Sequence, residues 1–228
     1  MSHHQLHCSD HPAAPTTALD VYIVGAGGHG RVCAEIAEAM GHRVVGFIDQ
    51  PRSADERING TPILFTDLGG LARAKSQKST AVFIAVSGNQ QRLTLIEDAE
   101  KLGLPILTLI HPSAVISRTC SIGVGSVVMP GSIINANARL GRGCILNTAA
   151  SVDHDCVVDD GAQIAPGVHA ASNVHFGARS FTGTGASIKQ CIRIGTDAFV
   201  GVGAVVVRDV DQGATVVGNP AKTLKPRT

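Results

Sequence analysis

The chain has 228 residues, enough for one large domain or two modest ones, with 44% hydrophobic and 16% charged residues. Aromatics make up only 3%, with no Trp and one Tyr, so a core must be built from Val, Ile, Leu and Ala, which suits a narrow, regular scaffold. A net charge of +1, with no basic block and no basic–aromatic interleaving, argues against nucleic acid as a partner, and no apolar run approaches the roughly 18 residues of a transmembrane helix.

Residues 1–18 are polar and carry His3, His4, His7 and His11. They lack the apolar segment of a secretory signal and read as a solvated, flexible tail more than as a metal site. The six cysteines show no C-x-x-C spacing, which fits a cytoplasmic protein with reduced thiols.

Residues 19–110 alternate strands and helices. Leu19 to Val24 reads as a strand, Arg31 to Met40 as a helix, and Arg43 to Ile48 as a second strand. Ala81 to Val86 reads as a third strand, Gln90 to Leu102 as a helix and Ile106 to Ile110 as a fourth strand. Such alternation predicts a small parallel α/β sheet. Gly25, Gly27 and Gly30 form a G-x-G-x-x-G pattern between the first strand and helix, where glycine lets backbone N–H groups approach a phosphate. Asp49 ends the second strand, where an acidic residue can take a ribose hydroxyl. The module holds about half of a full dinucleotide fold, so a mononucleotide or nucleotide-sugar fits as well as a dinucleotide. A tight turn without a ligand is the plain structural alternative.

From residue 114 to 209 the chain repeats with a period of six. The series from Ile116 through Ile122 and Val128 to Val206 has sixteen members, of which only Thr182 is not apolar. Two residues earlier a second series, from Ala114 through Cys120 to Ala204, is small or aliphatic throughout. Neither a helical period near 3.6 nor a strand period of 2 explains this spacing. It predicts a prism of short parallel strands, about five coils long, with residues 18 apart stacked about 4.8 Å along the axis. Gly, Asn or Asp often follows the apolar position, as at Gly123, Asn135, Gly141 and Asp153, and the reading assigns these residues to left-handed corners.

The short α/β module, the repeat, Ile110-His111-Pro112, Leu146-Asn147-Thr148, Val152-Asp153-His154-Asp155-Cys156 and Val217-Gly218-Asn219-Pro220-Ala221-Lys222 together carry a resemblance. The chain resembles the bacterial nucleotide-aminosugar N-acetyltransferases of the bacillosamine and perosamine pathways and the related sialic acid O-acetyltransferases. The resemblance implies a Rossmann-like α/β module at 19–110 and a left-handed parallel β-helix at 111–212, with a C-terminal loop and tail at 213–228. It implies a homotrimer with acetyl-CoA in the groove between subunits and no metal. Residue by residue, it makes His154 the general base and Asp155 the acid that raises its basicity. It puts Gly27, Gly28, His29, Asp49 and Gln50 on nucleotide-sugar contacts. Asn147, Gln163, Ser172, Thr184 and Val202 fall on the acetyl-CoA groove. Lys222, by its place in the loop after the prism, reads either as a contact to CoA phosphates or as a solvated lysine. Gln163 replaces a cofactor-touching His of some members, and Gln50 a second acid. The implied reaction is acetyl transfer to the amine of a nucleotide-linked 4-amino-sugar. Three other readings stand beside it: sialic-acid-type O-acetylation, a zinc carbonic-anhydrase-like prism using His154, His169 and His175, and a non-catalytic nucleotide-sugar-binding scaffold. His111 reads as structural.

Overall fold

The computed structural model describes residues 5–7, 17–51, 53, 55–74 and 80–224. His3, His4 and His11 lie outside the described residues. The chain divides into two compact units, Pro12–Pro112 and a second made of Met1–His11 with Ser113–Thr228. No described helix is long and apolar enough to cross a membrane.

The strand β1, Gln5–His7, belongs to the second unit and pairs antiparallel with Ser121–Gly123. The first unit is a five-stranded sheet of β2 (Asp20–Val24), β3 (Arg43–Ile48), β4 (Arg57–Ile58), β5 (Thr61–Phe65) and β6 (Thr80–Ile84), in the order β4-β5-β3-β2-β6. β2 runs parallel to both β3 and β6, as the alternating pattern requires. Helices α1 (Gly28–Ala39), α2 (Leu68–Ala74) and α3 (Asn89–Lys101) pack their apolar sides on it. Val24, Ile48, Leu71, Val82, Ile84 and Ile96 form one buried cluster. The hairpin β4–β5 and helix α2 lie in a stretch to which the sequence reading assigned no element. A signal for the hairpin was present: Asn59 and Gly60 both have positive φ, the requirement of a tight turn between short strands.

The second unit is a parallel β-helix. Its strands stack into three faces at an offset of 18 residues. Face 1 runs from Val127–Val128 through Ile145–Leu146, Gln163–Ile164, Phe181–Thr182 and Phe199–Val200 to Thr215–Val217. Face 2 runs from Val115–Ile116 through Ile133–Ile134, Ser151–Val152, His169–Ala170 and Ser187–Ile188 to Val205–Val206. Face 3 runs from Ser121–Gly123 through Arg139–Leu140, Val157–Val158 and His175–Phe176 to Arg193–Ile194. The apolar series points inward: Ile122, Val128, Leu140, Leu146, Val152, Ile164 and Phe176 are all buried. After Val206 the phase slips by two, because Ile194 bridges Val210 and Val200 pairs with Val216. The last strand, Thr215–Val217, then turns back in a hairpin with Lys222–Thr223.

The corners correct one expectation. Positive φ falls at Gly125, Gly131, Asn137, Gly143, Ala149 and Asp155, and continues at every sixth residue to Gly203. That is two positions beyond the Gly, Asn and Asp residues that follow the apolar series, such as Gly123, Asn135, Gly141 and Asp153. Gly123, Gly141, Gly177, Gly183 and Gly195 serve another need. A Cβ on Gly177 would sit 2.5 Å from the Thr196 nitrogen of the next coil, and one on Gly195 2.4 Å from the Gln212 nitrogen. Glycine is there for close stacking of coils. Gly177→Ala is therefore expected to cost about 1–3 kcal/mol by overpacking. Gly185→Ala, left-handed but with open space around it, should cost roughly 1 kcal/mol. Thermal unfolding of the two variants checks this order. A larger loss at Gly185 contradicts it.

Among the described residues, Cys33, Cys144, Cys156 and Cys191 are free thiols. Cys144 and Cys156 are buried small hydrophobes of the repeat, as expected.

Candidate active site

In the first unit, the glycine loop joins β2 to α1. Gly25 has φ of +100° and donates its N–H to the Ile48 carbonyl at 2.9 Å. A Cβ on Gly30 would meet the Gly25 carbonyl oxygen at 1.9 Å, so only glycine lets α1 start this close to the strand. Gly27 has no heavy atom within 4 Å of its Cβ position, and Gly28 only a nitrogen of Arg31 at 3.8 Å. These two glycines present bare backbone at the N-terminus of α1, where the helix has no acidic residue and no side-chain cap.

Asp49 braces this loop from the end of β3. Its Oδ2 accepts the Ala26 N–H at 2.8 Å and its Oδ1 the Gln50 N–H at 2.7 Å. Gln50 is exposed, and its side-chain amide donates to the Thr66 carbonyl at 3.4 Å. A cleft of about 590 Å³ opens here, lined among others by Gly25, Asp49, Gln50, Val86, Gln91 and Leu95. His29 is half-buried. Burial, reinforced by the nearby Arg92 guanidinium, pushes its pKa down to about 4, so the ring is neutral near pH 7. Arg92 itself is wholly buried and donates to the Val86 and Ser87 carbonyls and to Asn89 Oδ1. The sequence reading did not single it out, since periodicity cannot tell a buried arginine from a solvated one.

In the second unit, His154 stands on the corner between faces 2 and 3, its side chain 52% exposed. Its Nδ1 lies 2.7 Å from Asp155 Oδ2. Asp155 reaches the ring because it occupies the left-handed corner position, with φ of 60°. The coil before braces both carboxylates. Asn137 Nδ2 donates to Asp155 Oδ1 at 3.2 Å, and Asn135 Nδ2 to Asp153 Oδ1 at 2.8 Å. Asp153 also accepts the His154 backbone N–H at 2.8 Å. The two acids thus divide their work: Asp155 holds the ring, and Asp153 holds the corner backbone. Asn135 and Asn137 were missed as site residues, although subtracting 18 from the two aspartates finds them. The Asp155 hydrogen bond, with the charges of Asp153 and Asp155, raises the His154 pKa above its usual value. The His154 and Asn137 bonds hold Asp155 below the usual carboxylate range. In the neutral ring the proton sits on Nδ1, leaving the Nε2 lone pair as base.

The other candidates follow one rule. Ser172, Thr184 and Val202 share the hexad position of His154. At His154 the preceding Asp153 side chain takes the backbone N–H, and at Thr148 the preceding Asn147 does so at 2.8 Å. Ala171, Gly183 and Gly201 have no such acceptor. The N–H groups of Ser172, Thr184 and Val202 accordingly donate to no protein acceptor among the described residues. Ser172 follows His154 by one coil, about 4.8 Å along the axis, and the corners are tied by the Asn173 N–H to the His154 carbonyl at 3.0 Å.

One chain does not gather all the predicted residues. His154, Asp155 and Ser172 lie on the corner between faces 2 and 3. Asn147, Thr184 and Val202 lie on the corner between faces 1 and 2, and Gln163 lies on face 1. Face 2 separates the two sets. Lys222 is exposed in the terminal hairpin opposite Val217. His169 lies on face 2, bonded to Ser151 Oγ at 2.9 Å, and His175 on face 3, paired with Asp159 at 2.8 Å. The three histidines of the zinc reading therefore stand apart within one chain.

A Rossmann-like module followed by a left-handed hexapeptide β-helix is the architecture of acyltransferases of the hexapeptide-repeat class, as the following similarities show. Residues 20–99 match the PglD N-terminal domain family. A GDP-perosamine N-acetyltransferase of Escherichia coli O157:H7 is 31% identical over 215 residues, covering 89% of this chain and 95% of that protein. The acetyltransferase domain of PglB from Neisseria gonorrhoeae FA1090, in complex with acetyl coenzyme A, superposes with a TM-score of 0.84 at 39% identity, covering 91% of this chain and 100% of that one. PerB from Caulobacter crescentus, in complex with CoA and GDP-perosamine, gives 0.83 at 34% identity, covering 94% and 100%. The chain belongs to the family of nucleotide-aminosugar N-acetyltransferases.

Proposed function

We propose that this protein transfers an acetyl group from acetyl-CoA to the amine of a nucleotide-linked 4-amino-sugar, with His154 as general base. The observation that carries the reading is the His154–Asp155 pair at an exposed corner, with an unspent Ser172 N–H one coil away. The amine needs a free lone pair to attack the thioester carbonyl. His154 Nε2 accepts its proton, and Asp155 stabilises the imidazolium that forms. The Ser172 N–H donates to the oxyanion of the tetrahedral intermediate. Collapse breaks the carbon–sulfur bond, and His154 returns the proton to the departing thiolate.

In this reading Gly27, Gly28 and His29 receive the nucleotide-sugar, with Asp49 holding the loop and Gln50 at its edge. Asn147, Gln163, Thr184, Val202 and Lys222 bind acetyl-CoA. Asn147, Thr184 and Val202 lie on a different corner from His154, which supports a trimer in which one copy offers the base and its neighbour the cofactor groove. A thiol-release assay with acetyl-CoA against UDP-, GDP- and dTDP-linked 4-amino-sugars tests the reaction, and absence of turnover on all of them overturns it. Light scattering tests the assembly, and a monomer with full activity overturns the shared site.

His29 supplies a separate expectation. Because its pKa lies near 4, it stays neutral from pH 8 down to about pH 5. Calorimetric affinity of the wild type and of His29→Gln for the nucleotide-sugar should therefore differ by a constant factor across that range. A gap that widens or closes near pH 6.5 would show that His29 titrates there.

A further inference from the structure

Four of the six phenylalanines lie in or against the first unit's core or inside the prism: Phe47, Phe83 and Phe176 are buried, and Phe65 packs on the core cluster. The other two, Phe181 and Phe199, stack on face 1 with ring centroids 4.8 Å apart and planes 14° from parallel. Phe199 is 44% exposed. The pair sits one and two coils beyond Gln163 on the same face, and Phe199 is three residues before the outward corner Val202, which is 77% exposed. The next strand on this face, Thr215–Val217, pairs with Phe199 on one side and brings in Lys222 on the other, through the terminal hairpin. An exposed flat ring is suited to stacking a nucleotide base, and Lys222 stands two strands further along the same sheet.

We propose that Phe199, backed by Phe181, is the stacking platform for the adenine of acetyl-CoA. This rests on the proposed reading of Gln163 on face 1, and of Thr184 and Val202 on the corner at its edge, as acetyl-CoA contacts. The axial distance suits it. From the His154 coil to the Phe199 coil is between two and three coils, roughly 10–14 Å at 4.8 Å per coil, which places the adenine well away from the reacting thioester. The parallel stacking of Phe181 fixes the Phe199 ring, so it is held flat before the base arrives.

The test compares two donors, acetyl-CoA and S-acetylpantetheine, which lacks the nucleotide. Phe199→Ala should raise KM for acetyl-CoA roughly tenfold with kcat at saturation close to wild type. With S-acetylpantetheine the same variant should match the wild type. Phe199→Trp, which keeps a flat ring, should restore the acetyl-CoA KM. Equal losses with both donors, or an unchanged KM, overturn the platform. So does a change in oligomeric mass on Phe199→Ala, which would make the rings a contact between copies. If the wild type binds no CoA by calorimetry, the acetyltransferase reading itself fails. If it binds CoA and the variant binds equally well, only the platform fails.

Discussion

His154→Ala should lower kcat by on the order of 10²–10⁴-fold, the range for loss of a positioned general base, while nucleotide-sugar and CoA affinities stay near wild type. The split follows from where the side chain stands. His154 is exposed and makes no core contact, so its removal opens no cavity. Its backbone N–H is held by Asp153 and its carbonyl by Asn173, and alanine keeps both bonds. The corner should therefore survive while the Nε2 lone pair is lost. Stopped assays with both substrates saturating, beside calorimetric titrations of each ligand, separate the two effects. A variant that keeps a tenth or more of wild-type kcat removes His154 from the base role. A non-catalytic scaffold predicts no turnover in the wild type to begin with.

The prism was legible because a period of six, multiplied by three, fixes every strand's neighbour. The 18-residue offsets of all three faces follow from that arithmetic alone up to Val206. The same arithmetic gave His154 its corner and Ser172 its place one coil on. It could not say which of several small residues turns the corner. Gly123 and Gly125 look alike in sequence, yet one is glycine for the stacked backbone and the other for its positive φ. Nor does a period carry past an interruption, so the slip at Val210 and the terminal hairpin were invisible. In the first unit, the strands expected at 19–24, 43–48 and 81–86 are present. The expected fourth strand at 106–110 shortens to Leu109–Ile110 and does not join the five-stranded sheet, to which Ile106 adds only an isolated bridge to Val82. The two-residue β4 and seven-residue α2 offered too little pattern. The division of labour between Asp153 and Asp155 depends on a left-handed backbone at one of them, a property of the corner and of no single residue type. The separation of His154 from Val202 by a whole face was implicit in the repeat: 154 and 202 share a hexad position but differ by eight hexads, two coils and two further faces.

Asp155→Asn should change both the height and the position of the acid limb of the pH–rate profile. Asp155 raises the His154 pKa through its hydrogen bond first and its charge second. The working form of the base is neutral, so wild-type activity falls as pH drops through a His154 pKa above the ordinary histidine value. Asparagine removes the charge and the strong acceptor. The imidazolium is then less stabilised, its pKa falls, and the acid limb moves to lower pH. The plateau falls as well, because the weaker base is no longer held with its proton on Nδ1. Asparagine can also present its NH₂ to Nδ1 and favour the wrong tautomer. The loss should be on the order of 10- to 100-fold, below the ~10⁴ of a buried triad aspartate, because solvent screens this half-exposed pair. The alkaline rise set by the substrate amine is common to both proteins and cancels in the comparison. Asp153→Asn is the control. It leaves the 2.7 Å Nδ1 bond in place, so its limb should shift less than that of Asp155→Asn. If the larger shift appears at Asp153, the carboxylate that tunes the base is the other one, and the Asp155 bond only orients the ring.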